Sequence, residues 1–180
     1  FIKAANHSGI RLFHIPKKQF DQPQPDVPNK WKTCTSANIP NFSAVLYHFG
    51  KAIHADQDVP VGLINSSWGG SPIEPWTVTK SGSGKMYNGM IAPIIDFRVT
   101  GTIWYQGETN VMQKNGLAYT GKMKALIEGW RRVFDNESMP FYFVQIAPWN
   151  NGRYAYGQLP ALWEAQCATL KMPNTGMAVT

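Results

Sequence analysis

Cysteine is nearly absent from this 180-residue chain: Cys34 and Cys167 stand alone, with no CxxC spacing and no Cys/His grouping. That argues against a structural zinc or other metal site and leaves one disulfide or two buried thiols as open alternatives. No apolar run approaches the roughly 18 to 20 residues of a membrane-spanning helix, so no membrane partner is expected. Charge is scarce at 16% of residues, and the net +6 is scattered, with Lys17-Lys18 and Arg131-Arg132 as its densest groups. Such dispersion reads as solvated surface, so no nucleic-acid partner is expected. The stretch Ser81-Gly82-Ser83-Gly84-Lys85 contains Gly-Lys, but Met86 occupies the Ser/Thr position of a phosphate loop and the leading glycine is missing. No nucleotide is expected there, and no other cofactor is called for. Also missing is a Gly-x-Ser-x-Gly nucleophile elbow, and Ser66 and Ser67 sit at a strand end without the signature of a nucleophile turn. His7, His14, His48 and His54 read as surface or strand packing and not as catalytic bases. The opening Phe1-Ile2-Lys3-Ala4-Ala5-Asn6-His7 resembles neither a signal peptide nor a natural start, as expected of a piece from inside a longer protein.

What is present describes a globular α/β domain. Hydrophobic residues make up 43%, with seven Trp and thirteen Pro, enough for one domain with a sizeable core over residues 1–180. Ile10 to Ile15 predicts a strand, followed by a Pro- and Gln-rich loop from Pro16 to Lys30. Phe42, Val45, Leu46, Phe49 and Ile53 share one helical face, which predicts a helix packed on a sheet. Val59 to Ser66 predicts a second strand, nearly continuous in apolar residues, as when both sheet faces are covered. A strand at 101 to 106 follows, then a helical stripe of Tyr119, Met123, Leu126, Ile127, Trp130, Val133 and Phe134. Pro140 to Ala147 supplies another strand, Leu159, Leu162, Trp163, Gln166, Cys167 and Leu170 another helix face, and Met177-Ala178-Val179 a last strand. This alternation predicts one three-layer α/β domain with a mainly parallel sheet.

Ligands in such sheets bind beyond the carboxyl ends of the strands, so the loops after Ser66, Tyr105 and Ala147 are expected to converge. In the first, Gly69 and Gly70 let main-chain N–H groups approach a ligand, which suits a developing oxyanion, although a plain tight turn would look the same. In the second, Gln106 and Asn110 carry uncharged amide donors, while Glu108 suits orienting another residue or holding the loop. Trp68, Trp76 and Trp149 are candidate walls for a sugar ring, or simply core.

Three ordered blocks then gain meaning together. Pro60-Val61-Gly62-Leu63-Ile64-Asn65-Ser66-Ser67-Trp68-Gly69-Gly70-Ser71-Pro72-Ile73-Glu74-Pro75-Trp76, Tyr87-Asn88-Gly89-Met90-Ile91-Ala92-Pro93 and Trp104-Tyr105-Gln106-Gly107-Glu108-Thr109-Asn110 resemble the sialate O-acetylesterase family of the SGNH, or GDSL-like, hydrolases. Further likeness at Asn41-Phe42-Ser43-Ala44-Val45, Pro140 to Gln145 and Glu164-Ala165-Gln166 extends it over nearly the whole chain. The resemblance implies a flavodoxin-like fold and a serine esterase removing O-acetyl groups from sialic acid or other glycans. By position, Gly69 or Gly70 matches the glycine block of the oxyanion hole, and either Gln106 or Asn110 its side-chain amide. The family's Gly-Gln-Ser-Asn nucleophile block and its Asp-x-x-His pair are not in this sequence. The first strand and the carboxyl-terminal catalytic segment are therefore expected to be missing, and the stretch by itself to be inactive and prone to association. The segment between Trp76 and Tyr87 is short, which implies a smaller lid. The same likeness implies export. An esterase for another acyl group, or a carbohydrate-binding protein that kept the fold without the chemistry, are the alternatives.

Overall fold

Strand β1, His7–His14, buries Ile10 and Leu12 on one face and exposes Arg11 between them, while Phe13 on the other face is buried against the Trp31 ring. The computed structural model describes residues 2–148 and 155–180. The chain divides into two units, one built from the residues up to Lys18 with Asp26–Ser67, the other from Gln19–Pro25 with Trp68–Thr180.

In the first unit β1 lies between β2, Lys32–Cys34, which it pairs antiparallel, and β3, Val61–Asn65, which it pairs parallel from Ile10 against Val61 to His14 against Asn65. The segment from Pro16 to Lys30 has no helix or strand, as its prolines dictate. Helix α1, Ala44–Gln57, starts at Ser43, whose hydroxyl accepts the Leu46 amide at 3.2 Å, and stops at Asp58 in a left-handed conformation. The core gathers Ile10, Leu12, Cys34, Ile39, Tyr47 and Leu63.

The helical stripe is only half right. Phe42 and Leu46 pack on this core, but Val45, Phe49 and Ile53 are 45%, 39% and 39% exposed. The reason is Gly50: a Cβ there would lie 2.4 Å from Leu63 Cδ2, so the helix turns its bare glycine and Tyr47 toward β3, and the apolar residues opposite face outward.

The second unit is built on a parallel sheet of β6, Thr102–Trp104, β7, Phe141–Val144, and β8, Thr175–Ala178, in that order. A small hairpin, β4 Val78–Thr79 with β5 Gly82–Ser83, leads into α2, Lys85–Met90. Three further helices, α3 Glu108–Met112, α4 Tyr119–Val133 and α5 Gln158–Thr169, follow the strands. Helix α4 buries Tyr119, Met123, Leu126, Ile127 and Trp130 as its stripe predicts. Helix α5 buries Leu162, Ala165, Gln166 and Thr169, whereas Leu170 and Cys167, expected on the same face, are exposed. Trp104 stands edge-on to Trp76 and Trp130, with centroids 6.1 and 5.8 Å away, and Phe141 closes the cluster. Edge-to-face pairs of this kind add about 1 kcal/mol each beyond their burial.

Two readings need correction here. Arg131 is not solvated surface: it is buried, and its guanidinium donates to the carbonyls of Met139 at 3.0 Å and Pro173 at 2.8 Å, tying together the approaches to β7 and β8. Nor do the cysteines form a disulfide or a buried pair, since both are free thiols, Cys34 buried and Cys167 exposed. Among the described residues no helix is long and apolar enough to cross a membrane, and no cluster of metal-ligating side chains occurs.

Candidate active site

The turn Trp68-Gly69-Gly70-Ser71 is gripped at both ends. The Ser71 hydroxyl donates to the Trp68 carbonyl at 2.7 Å and accepts the Trp76 indole N–H at 2.9 Å, and the Ser71 carbonyl accepts Nε2 of Gln106 at 3.0 Å. Gly70 has φ +78°, the left-handed region that favours glycine, and nothing lies within 4 Å of where a Cβ would stand on either glycine. Both are exposed, and among the described residues no acceptor takes the N–H of Gly69 or Gly70. Turn closure therefore leaves two main-chain donors on exposed residues without an acceptor among the described residues.

Gln106 and Asn110 do the gripping from below. Gln106, two residues beyond β6 and 9% exposed, donates from Nε2 to the Ser71 carbonyl and at 2.8 Å to Oδ1 of Asn110. Its Oε1 accepts the Tyr119 hydroxyl at 2.7 Å, so every polar atom of its amide is occupied. Asn110 has no exposed surface; its Oδ1 also accepts the Ile73 amide at 3.0 Å, and its Nδ2 faces both carboxylate oxygens of Glu74 at 3.2 Å. Glu74 is ion-paired with Lys122 of α4. Burial would raise the Glu74 carboxyl, but the hydrogen bonds from Lys122, from its own main-chain amide and from Asn110 outweigh it and hold the group below the usual carboxylate range. Burial pushes the Tyr119 phenol well up, so Tyr119 stays a neutral donor to Gln106.

Gly107 seats this loop, because a Cβ there would come within 2.9 Å of Ile146 and 3.0 Å of Leu162. Glu108 follows it, exposed in the first turn of α3. Thus the loops after Ser66 and Tyr105 do converge. Trp149, in the loop after Ala147, lies outside the described residues. Trp76, expected as a possible sugar-facing wall, is 2% exposed and spends its N–H on Ser71, so it is a core ring supporting the turn. Trp68 is half-buried and contributes its carbonyl.

The histidines belong to the first unit, where His7 Nε2 meets the Tyr47 hydroxyl at 3.1 Å, His14 Nδ1 meets Asn65 Nδ2 at 3.2 Å and His54 Nδ1 meets the Val59 carbonyl at 2.6 Å. Ser71, Glu74, Tyr119 and Lys122 carry no signal of a site in the sequence. Tyr119 reads there as part of a core stripe, and Glu74 sits unremarked between two prolines.

Comparison with known proteins places the chain in a family. A family model described as carbohydrate esterase, sialic acid-specific acetylesterase, matches residues 8–180. The sialate O-acetylesterases of Pongo abelii and Homo sapiens are each 31% identical over 217 residues, covering 97% of this chain and 41% of theirs. The chain therefore spans well under half the length of these relatives. A carbohydrate acetylesterase structure from Xanthomonas citri superposes with a TM-score of 0.91 at 39% identity, over 99% of this chain and 44% of that one. An Arabidopsis thaliana protein shares the fold at a TM-score of 0.72 and 20% identity, over 99% of this chain and 70% of that one.

Proposed function

We propose, since the chain belongs to the carbohydrate esterase family of sialic acid-specific acetylesterases, that these residues form the oxyanion side of a serine esterase acting on O-acetylated carbohydrate. The main-chain amides of Gly69 and Gly70 donate to the acetyl carbonyl oxygen as it becomes an oxyanion. Gln106 and Asn110 support that hole by fixing Ser71, and Glu108 is the exposed carboxylate available to orient a catalytic side chain. The nucleophilic serine and its Asp/His partners come from outside the 180 residues. Serine Oγ attacks the acetyl carbon, the sugar hydroxyl leaves with a proton, and water then releases acetate from the acyl-enzyme.

One observation carries the reading: the Gly69-Gly70 turn is clamped at the Trp68 and Ser71 carbonyls while its own N–H groups stay unused. Donors held in this way cost no reorganisation during reaction.

The test uses the full natural chain with an aryl acetate, O-acetylated sialic acid and acetylated xylan as substrates. Gly69→Pro removes one donor and Gly70→Ala strains the left-handed residue, and loss of an oxyanion donor lowers kcat by about a hundred- to a thousandfold. Unchanged kcat in both variants would discard the reading. The preferred glycan separates sialate from xylan esterases, and binding of acetylated glycan without any release of acetate would identify a carbohydrate-binding protein instead.

A further inference from the structure

We infer that Glu74, with Lys122 as its counter-ion, is a positioning residue for this hydrolytic site, acting through the side-chain amide of Asn110. The inference rests on the reading of the Gly69-Gly70 turn given above. An asparagine amide has two orientations related by a half-turn, and only one fits here. With Oδ1 toward the Ile73 and Gln106 N–H groups and Nδ2 toward Glu74, each donor meets an acceptor. Flipped, the oxygen would confront a carboxylate that can only accept, and the NH2 would confront two donors. The acceptor oxygens of Glu74 thus select the orientation.

That selection propagates. With Asn110 Oδ1 fixed, one Nε2 hydrogen of Gln106 is committed to it and the other is left for the Ser71 carbonyl, which closes the turn bearing the free glycine amides. Helix α4 holds both ends of the chain of bonds, because Tyr119 donates to Gln106 and Lys122, one helical turn later, pairs with Glu74. Glu74 itself is partly exposed at the mouth of the network, while Asn110 beneath it is fully buried. An acceptor held at the surface by Lys122 thereby fixes the geometry of the turn. Glu108 of α3 is the other carboxylate felt by Tyr119, but Asn110 makes its bond to Glu74.

Steady-state hydrolysis of an aryl acetate by the full natural chain tests the inference. Glu74→Ala is expected to lower kcat about tenfold with KM within about twofold, since the N–H groups of the turn bond the substrate oxygen only when the oxyanion forms. Glu74→Gln keeps an acceptor oxygen for Asn110 and is expected to recover most of that loss. Lys122→Met is expected to lower kcat about threefold and Lys122→Arg to restore it. Unchanged kcat in Glu74→Ala, alongside a fall in Gly69→Pro or Gly70→Ala, would overturn the role of Glu74 and leave the oxyanion reading standing. No change in Gly69→Pro or Gly70→Ala, as in Glu74→Ala, would overturn that reading itself. If Glu74→Ala fails to fold, Lys122→Met decides: an undiminished kcat overturns the inference, and a loss recovered by Lys122→Arg supports it.

Discussion

Asn110 places its Nδ2 at 3.2 Å from both carboxylate oxygens of Glu74, a buried amide and a half-exposed acid 36 residues apart in sequence. The opposite end of the same amide receives Ile73 N–H and Gln106 Nε2. Asn110→Leu keeps the volume but strands two buried donors, so we expect a loss of about 3 kcal/mol in urea unfolding. A loss under about 1 kcal/mol would mean that water takes over those bonds.

Because Glu74 is held below its ordinary pKa, its contribution is fully present above the unfolded-state value and is lost as pH falls through the folded value. Between about pH 5 and pH 3 the stability of the wild-type chain is therefore expected to fall more steeply than that of Glu74→Gln. Parallel curves for the two would show that the carboxylate is unperturbed. The side chain is 44% exposed, and added salt should flatten the difference.

Gly129 lies inside α4, where alanine ordinarily gains about 1 kcal/mol in helix propensity. Here a Cβ would stand 2.1 Å from the Val78 carbonyl oxygen, a main-chain atom that cannot swing away. Gly129→Ala is expected to destabilise the fold by about 3 kcal/mol. A stabilised variant on thermal unfolding would contradict this packing of α4 on β4.

On α1, Tyr47 is 2% exposed and Phe49 is 39% exposed, although both are aromatic and only two residues apart. We expect Tyr47→Ala to cost about 3 to 5 kcal/mol and Phe49→Ser less than about 1. Equal losses would mean that the Val45, Phe49 and Ile53 face is covered.

The two thiols differ in environment. Burial pushes the Cys34 thiol up, opposed by a hydrogen bond from the His7 main chain, whereas Cys167 is exposed. A disulfide reagent at neutral pH should label one thiol promptly and the second only on unfolding. Prompt labelling of both would place Cys34 at the surface.

Much of the second unit is legible in the sequence. The stripe from Tyr119 to Trp130 specifies α4 because a 3.6-residue repeat of large apolar groups has one way to be buried. The apolar runs at 101–106 and 140–147 specify β6 and β7, although the strands proper are shorter because their ends pass into loops. Gly69, Gly70, Gln106 and Asn110 can be grouped from their places after strand ends and from family likeness, although a plain tight turn would carry the same residues. Periodicity fails on α1, where the hydrophobic positions mark a face but a glycine decides which side approaches the sheet. It fails likewise on Arg131, a charged residue made internal by three carbonyls that the chain brings round it.

Composition, periodicity and ordered motif blocks determine by themselves the α/β class, the succession of strands and helices, and the family. Those properties are local or additive along the chain. Only the tertiary structure decides that Trp76 is core, that both amide hydrogens of Gln106 are already taken, and that Glu74 pairs with Lys122 across 48 residues. A hydrogen bond depends on position to within a few tenths of an ångström, and which donor reaches which acceptor is settled when packing fixes the distance between segments far apart in sequence.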